Sequence, residues 1–237
     1  MTAFGFPLEG DELVLQLAGI PVRTRLVEAG EDLAALVAEA VDSIASAGAV
    51  VAVSETAVAI AQGRSIPAAT IRPSRLAYAL SARAGARATV NQPESLQLVI
   101  DSAGVPKVLW AALCHLVGRL VGLRGLFYRV LGREIAVIDG YTGTLPPFDG
   151  TIVLGPSRPE EVAQAIADRC GPGIGAVIVD ANDLGKAVVL GASHGVASDL
   201  VMRALRSNPH GNGDEQTPIV VLIWRGTGKN PLFEELP

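Results

Sequence analysis

Oxygen-bearing side chains gather where apolar runs stop. Asp139 closes EIAVID (134–139), and Asp180 closes AVIVD (176–180), with Asn182 and Asp183 just beyond it. A polar stretch, His210-Gly211-Asn212-Gly213-Asp214-Glu215, precedes a third run, PIVVLIW (218–224). Carboxylates at the ends of neighbouring strands can converge on one point. Several hard oxygen ligands in one place suit Mg²⁺ or Mn²⁺, ions that often bridge to phosphates. The glycines of the 211–215 stretch would let backbone N–H groups approach a phosphate. The same residue types also make ordinary turns after strands, so residue type alone leaves both readings open.

Other chemistries find less support. The chain has no GxxxxGK[ST] and no GxGxxG after its first strand, the two commonest nucleotide signatures. Ser193-His194 lies in GASHG, which is not the GxSxG elbow of a serine hydrolase. Two cysteines, Cys114 and Cys170, make neither a disulfide framework nor a zinc site, and three histidines are too few for a His-rich metal centre. Cys114 reads as a packed thiol.

Behind these residues stands a chain able to build a core. Its 237 residues are 49% hydrophobic with a mean hydropathy of +0.39, which excludes general disorder. The 26 glycines show no three-residue period, so a collagen-like chain is excluded. A net charge of -5 argues against a general nucleic-acid binder. The opening MTAFGFPLEGDELVLQL has neither a basic n-region nor a long apolar stretch, so a cytoplasmic location is expected.

Helices and strands alternate along the chain. Residues 31–47 predict a helix, with Leu33, Leu36, Val37, Ala40, Val41 and Ile44 on one face. Residues 93–103 predict a helix opened by Pro93. Residues 159–170 predict another, led by a capping box over Ser157-Arg158-Pro159-Glu160. A further helix is expected at 197–206. Strands are expected at 49–53, 134–139, 151–155, 176–180, 187–191 and 218–224, with the loop ANDLGK at 181–186. The apolar run 108–118 is too short to span about 30 Å of hydrocarbon. Arg119, Arg124 and Arg129 follow it at five-residue spacing, which on one continuous helix would spread them around the cylinder. This region predicts buried or interface helices, and a homodimer built on it. The class is mixed α/β or α+β.

A family resemblance runs through these motifs. Gly19-Ile20-Pro21, the GEDLAALVAEA helix and Ala59-Ile60-Ala61-Gln62-Gly63-Arg64 resemble the coenzyme F420-0:L-glutamate ligase (gamma-glutamyl ligase) family, as do ATIRPSRLAYALS and NQPESLQLVIDSAG. Asp139-Gly140-Tyr141-Thr142 resembles its D-x-S-N turn. Val179 to Lys186 resembles its I-S-D-[ST]-F-G-R strand end, and Gly211 to Val221 its final G-Q-A-D-E-G-x-P-V-V-V. The resemblance covers most of the chain outside about 105–130 and the tail.

The resemblance implies one α+β domain over 1–237, with mixed, largely antiparallel sheets, flanking helices and an apolar helical insert at about 105–133. It implies a GTP- and divalent-metal-dependent ligase, using Mn²⁺ or Mg²⁺, that adds L-glutamate to a carboxylate through an acyl phosphate. Carried over by motif, Asp139 and Asn212 would hold metal, together with Asn182 and Asp183 if the glycines are aligned, or with Asp180 in their place if the strand ends are aligned. Ile20, Pro21, Val22 and Arg23 would form an N-terminal nucleotide loop. Glu55, Thr56, Thr142, Gly211, Gly213, Asp214 and Glu215 would complete the nucleotide contacts. The expected partners are a nucleotide and a small-molecule substrate, with no nucleic acid and no transmembrane segment. Two departures stand out. Ile60 occupies the place of a nucleotide-contacting Lys, and the family's R-P-W-R-x-G-Q stretch is missing after Lys186. They motivate the alternative of a divergent, non-catalytic paralogue that binds a nucleotide or small molecule.

Overall fold

Val50–Ser54 (β3) is apolar at every position but the last, and both of its faces are buried. Such a strand belongs in the middle of a sheet covered on both sides. The computed structural model places it there. It describes residues 6–7, 12–85, 89–120, 122–123, 125–132, 148–182, 185–211 and 215–234. The described chain divides into two compact units, Met1–Gly63 with Pro156–Pro237, and Arg64–Gly155.

The first unit is built on a six-stranded sheet. Its strands are Phe6–Pro7 (β1), Leu17–Val22 (β2), β3, Gly175–Asn182 (β6), Lys186–Ala192 (β7) and Ile219–Trp224 (β8), in the order β1-β2-β8-β3-β6-β7. Only β3 and β6 run parallel; the other four pairings are antiparallel. The class is therefore α+β with a mixed, largely antiparallel sheet, as the resemblance implies.

Alternate residues of each strand serve opposite faces. Val50, Ala52, Val177, Val179, Val220 and Leu222 join a core with Leu200, Val201 and Ala204 of Ser198–Ala204 (α9). That helix continues as a short 3₁₀ turn, Leu205–Ser207. On the other face Pro159–Cys170 (α8) packs on β6 and β7 and against Leu33–Val41 (α2). Glu12–Leu15 (α1) and Glu55–Ala61 (α3) complete the unit's helices.

Local rules explain most helix ends. Asp32 caps α2, its carboxylate accepting the Ala35 N–H at 3.0 Å. The helix is shorter than its periodicity suggests, because residues 42–46 turn away after Val41. The capping box predicted before α8 does not form. Arg158 takes the cap position in the left-handed region (φ 47°), with no side-chain cap bond, and Pro159 pre-sets the first turn instead. Ser157 is engaged elsewhere. Its N–H donates to Gln62 Oε1 at 2.7 Å, and its carbonyl accepts from Gln62 Nε2 at 2.8 Å. This two-way amide clamp ties the chain where it leaves the unit to the point where it returns. Gln62→Ala is expected to cost about 1 kcal/mol in urea unfolding, since exposed hydrogen bonds carry modest net value; an unchanged midpoint would show that water replaces both bonds.

The predicted loop at 181–186 is shorter than expected. β6 and β7 stay paired to Asn182↔Lys186, so both strands extend into the stretch expected to be loop. The predicted strand at 134–139 lies outside the described residues.

The second unit holds a two-stranded antiparallel sheet, Ser65–Pro67 (β4) with Thr151–Val153 (β5). Its helices are Arg75–Ser81 (α4), Pro93–Ala103 (α5), Val105–Leu120 (α6) and Leu126–Leu131 (α7). Ala77, Leu96, Val99, Ile100, Val108, Ala111 and Ile152 form its core. α5 and α6 meet at 117° around Gly104. Among the described residues no single helix is long and apolar enough to cross a membrane.

Candidate functional site

The topology brings five strand ends to one edge of the six-stranded sheet. β3 and β6 are parallel, with Ser54 opposite Val179, so Glu55 and Asp180 follow at adjacent carboxyl ends. β8 is antiparallel to β3, so its amino end, preceded by Pro218, lies beside them; the Ser54 N–H donates to the Pro218 carbonyl at 2.8 Å. β2 is antiparallel to β8, with Val22 opposite Ile219, and so ends at the same edge with Arg23 exposed beyond it. The Thr24 N–H then reaches the Gln216 carbonyl at 3.1 Å. β7 begins there too, with Lys186 opposite Asn182. Neighbouring strands lie about 4.8 Å apart, so β2 to β7 spans roughly 19 Å. Ligands characteristically bind outside the carboxyl ends of parallel strands, which here are those of β3 and β6.

Each side chain has a distinct setting. Glu55 is buried in the first turn of α3, and Thr56 is half-buried beside it. Asp180 is half-buried and pairs with Val188 in the ladder. Ile20, Pro21 and Val22 are not in a loop, as the resemblance implied, but in β2, where they face Val221, Val220 and Ile219. Ile20 and Val22 are buried. β1 covers β2 only at Gly19 and Ala18, so Pro21 lies beyond that pairing, where its missing N–H is tolerated.

The 210–218 loop is anchored at both ends. The Thr217 hydroxyl donates to the His210 carbonyl, and His210 Nδ1 donates to the Thr217 carbonyl at 3.3 Å. A carbonyl only accepts, which fixes the Nδ1–H tautomer. Gly211 (φ 75°) could not be another residue without displacement, since a Cβ there would sit 2.7 to 3.0 Å from the Glu215 carboxylate. The carboxylate of Glu215 therefore folds back against the loop's own backbone.

His210 is a residue that sequence reasoning left within a polar loop. Its only sequence signal is the threonine seven residues later. It is buried, and Nε2 has no hydrogen-bond partner among the described residues. Burial penalises the imidazolium and lowers the pKa to about 4, against a smaller upward pull from the Thr217 carbonyl. Above pH 6.5 the ring is neutral both folded and unfolded. As pH falls from 6.5 to 4 only the unfolded chain takes up the proton, so about 3 kcal/mol of stability is lost across that window. Imidazole NMR of the metal-free protein checks this: the His210 signals should hold their neutral positions down to about pH 4. A midpoint near 6.5 would contradict it.

The other candidates fall as follows. Asp139, Thr142, Asp183, Asn212, Gly213 and Asp214 lie outside the described residues, and Asn182 is placed only as the last residue of β6. Among the described residues no three His, Cys, Asp or Glu side chains group closely enough to hold a metal ion. The carboxylates that the described edge supplies are those of Glu55, Asp180 and Glu215, and Mg²⁺ is usually bound by one or two carboxylates with several waters. Ile60 is buried within α3. Ser193 is structural, its hydroxyl accepting the Ala176 N–H at 2.9 Å. His194 Nδ1 donates to Gln164 Oε1 at 2.6 Å. Both cysteines are free thiols, and burial pushes that of Cys170 up.

Residues 21–112 match the family described as F420-0:Gamma-glutamyl ligase, which supports membership of that family, one of ligases that add glutamate. The matched segment runs from within β2 into α6. It contains Pro21, Val22, Arg23, Glu55 and Thr56, whereas Asp139, Asp180, Asn182, Asp183 and Asn212 lie beyond it. No curated protein matches the chain.

Proposed function

Starting from the gamma-glutamyl ligase match over residues 21–112, we propose that the protein is a GTP- and divalent-metal-dependent amide ligase that works at the shared sheet edge. The observation that supports this reading is that Arg23, Glu55, Thr56, Asp180, Gly211 and Glu215 belong to the ends of four strands, β2, β3, β6 and β8, along one edge of one sheet. The acceptor is a carboxylate of the coenzyme F420-0 type, and the amine comes from L-glutamate.

A carboxylate is a poor acyl donor, so a better leaving group is installed first. The acceptor's carboxylate oxygen attacks the γ-phosphorus of GTP; the bond to the β–γ bridging oxygen breaks, and GDP leaves. The glutamate amine then attacks the acyl phosphate carbon, and inorganic phosphate departs as the amide forms and the amine loses a proton. The nucleotide would lie along the β2–β8–β3 side, with Arg23 and the Gly211 backbone beside its phosphates. Of the residues carried over by motif, Asp180 or the Asn182–Asp183 pair, with Asn212, would hold Mn²⁺ or Mg²⁺, which would offset phosphate and carboxylate charge. The protein's own contribution is mainly positioning, which can supply about 7 kcal/mol or more of the barrier.

One observation favours a second reading, a non-catalytic paralogue that binds the nucleotide alone. Ile60 stands where the family carries a nucleotide-contacting Lys, and its buried side chain supplies no charge to a phosphate. Steady-state assay with GTP, Mn²⁺, a deazaflavin carboxylate and L-glutamate separates the two. The ligase reading predicts GDP and phosphate release that requires both carboxylate and glutamate. Heat protection by GTP without GDP release would select the paralogue; at 100 times the dissociation constant that protection is about 2.7 kcal/mol. Neither protection nor release would reject both.

A further inference from the structure

Helix α6 turns its apolar side outward. Leu109, Trp110, Leu113, Leu116, Val117 and Leu120 are between 46% and 81% exposed, while Val108, Ala111 and Gly118 are buried. At 100° per residue the six exposed side chains occupy one arc of about 120°, and the three buried ones lie opposite. No polar residue interrupts that arc. Six large side chains, five of them half or more in water and Leu109 nearly so, form a contiguous patch of the kind that marks an interaction or membrane surface.

The charges name the occupant. Between Asp101 and Glu134 the chain has five cations, Lys107, Arg119, Arg124, Arg129 and Arg133, and no acid, although its net charge is -5. Lys107 and Arg119 are exposed on the two flanks of the apolar arc. Lys107 also donates to the Leu131 carbonyl at 3.1 Å, tying the end of α7 to α6. The arginines do not ring a single cylinder, as their spacing suggested, because α6 ends at Leu120 and Arg129 belongs to α7. An apolar stripe with tryptophan, bordered by cations that can reach outward on long stems, is the pattern of a helix lying in the interface of an anionic bilayer. At about 24 Å α6 is too short to span the hydrocarbon by itself, and it meets α5 at a bend of 117° instead of extending it as one straight helix. A symmetric contact with a second copy would set the same cationic flanks against each other, with no acid of this region to meet them.

We propose that the exposed face of α6 docks the protein onto an anionic lipid surface. The side chains of the arc would sink to the headgroup–acyl boundary while Lys107 and Arg119 meet lipid phosphates. The proposal is independent of the ligase chemistry.

Cosedimentation of the full chain with vesicles tests it. Binding is expected to vesicles of phosphatidylglycerol and phosphatidylcholine in equal parts, at least tenfold stronger than to phosphatidylcholine alone, and to weaken as salt rises. A Leu113→Glu, Leu116→Glu double variant, altered only at exposed positions, should keep its melting temperature and lose at least tenfold in partitioning. Arg119→Glu should lose several-fold on the anionic vesicles alone. Failure of the wild type to bind anionic vesicles, or equal binding by the double variant, would overturn the proposal. So would light scattering in which the double variant turns a wild-type dimer into a monomer, because that assigns the face to a second copy.

Discussion

Asp180→Asn should lower glutamate-dependent GDP release by about a hundredfold while leaving the melting temperature within a few degrees. Asp180 sits near the end of β6, half-buried, with its backbone held in the ladder opposite Val188. The replacement keeps size and one acceptor oxygen but removes the charge that would face a metal–phosphate cluster. Losing one preorganised electrostatic partner of a phosphoryl transfer costs about two to three orders of magnitude. Folding should tolerate the change because the strand is fixed on both sides by β3 and β7. A melting temperature lowered sharply, with undiminished turnover per folded molecule, would mark Asp180 as structural.

The largest effect on stability is expected at Gly191. A Cβ there would meet the Pro159 carbonyl carbon at 2.3 Å, the Glu160 nitrogen at 2.4 Å and the Pro159 oxygen at 2.7 Å. These are backbone atoms at the start of α8, so no side chain can swing aside. The approach arises from a β-bulge. Ile178 pairs with Gly191 but Val179 pairs with Val189, leaving Leu190 as the extra residue. The bulge sends Val189 to the α9 side and Gly191 to the α8 side. Gly191→Ala should therefore cost about 3 kcal/mol, near the upper end of overpacking costs. For a chain of this length that is a fall of roughly 10 °C in melting temperature. A change of no more than about 1 °C would mean that α8 docks on β7 more loosely than described.

How much of this was legible in the sequence depended on whether the signal was local. Pro93–Ala103 and Pro159–Cys170 were readable to the residue, because each has proline in its first turn and glycine directly after its end. β3 and β8 were readable as apolar runs too short for helices. Signals set by distant partners were not. Leu17–Val22 carries Gly19 and Pro21, which favour turns, and is a strand only because β8 pairs along its whole length. The capping box before α8 had the right residues, yet Ser157 is taken by Gln62, ninety-five positions away. The burial of His210 likewise follows from closure of its loop through Thr217.

The candidate site divides in the same way. Acids and glycines at strand ends could be picked out by type, but only strand order shows which ends share an edge. Cations at fixed spacing would ring one continuous helix, but the helix ends at Leu120 and Arg129 belongs to the next one. Polar satisfaction, not residue type, decided against Ser193 and His194: each already holds a partner within the fold.

The central claim is that one end of the six-stranded sheet binds a metal-bridged nucleotide, and the location of manganese in crystals grown with GDP and Mn²⁺ tests it most directly. Anomalous scattering should place an ion with an Asp180 oxygen at about 2.1 Å, the distance usual for a small hard divalent cation. The GDP phosphates should lie toward Arg23 and Gly211. Manganese and GDP bound together at any other place on the molecule, with Asp180 facing only solvent, would contradict the account.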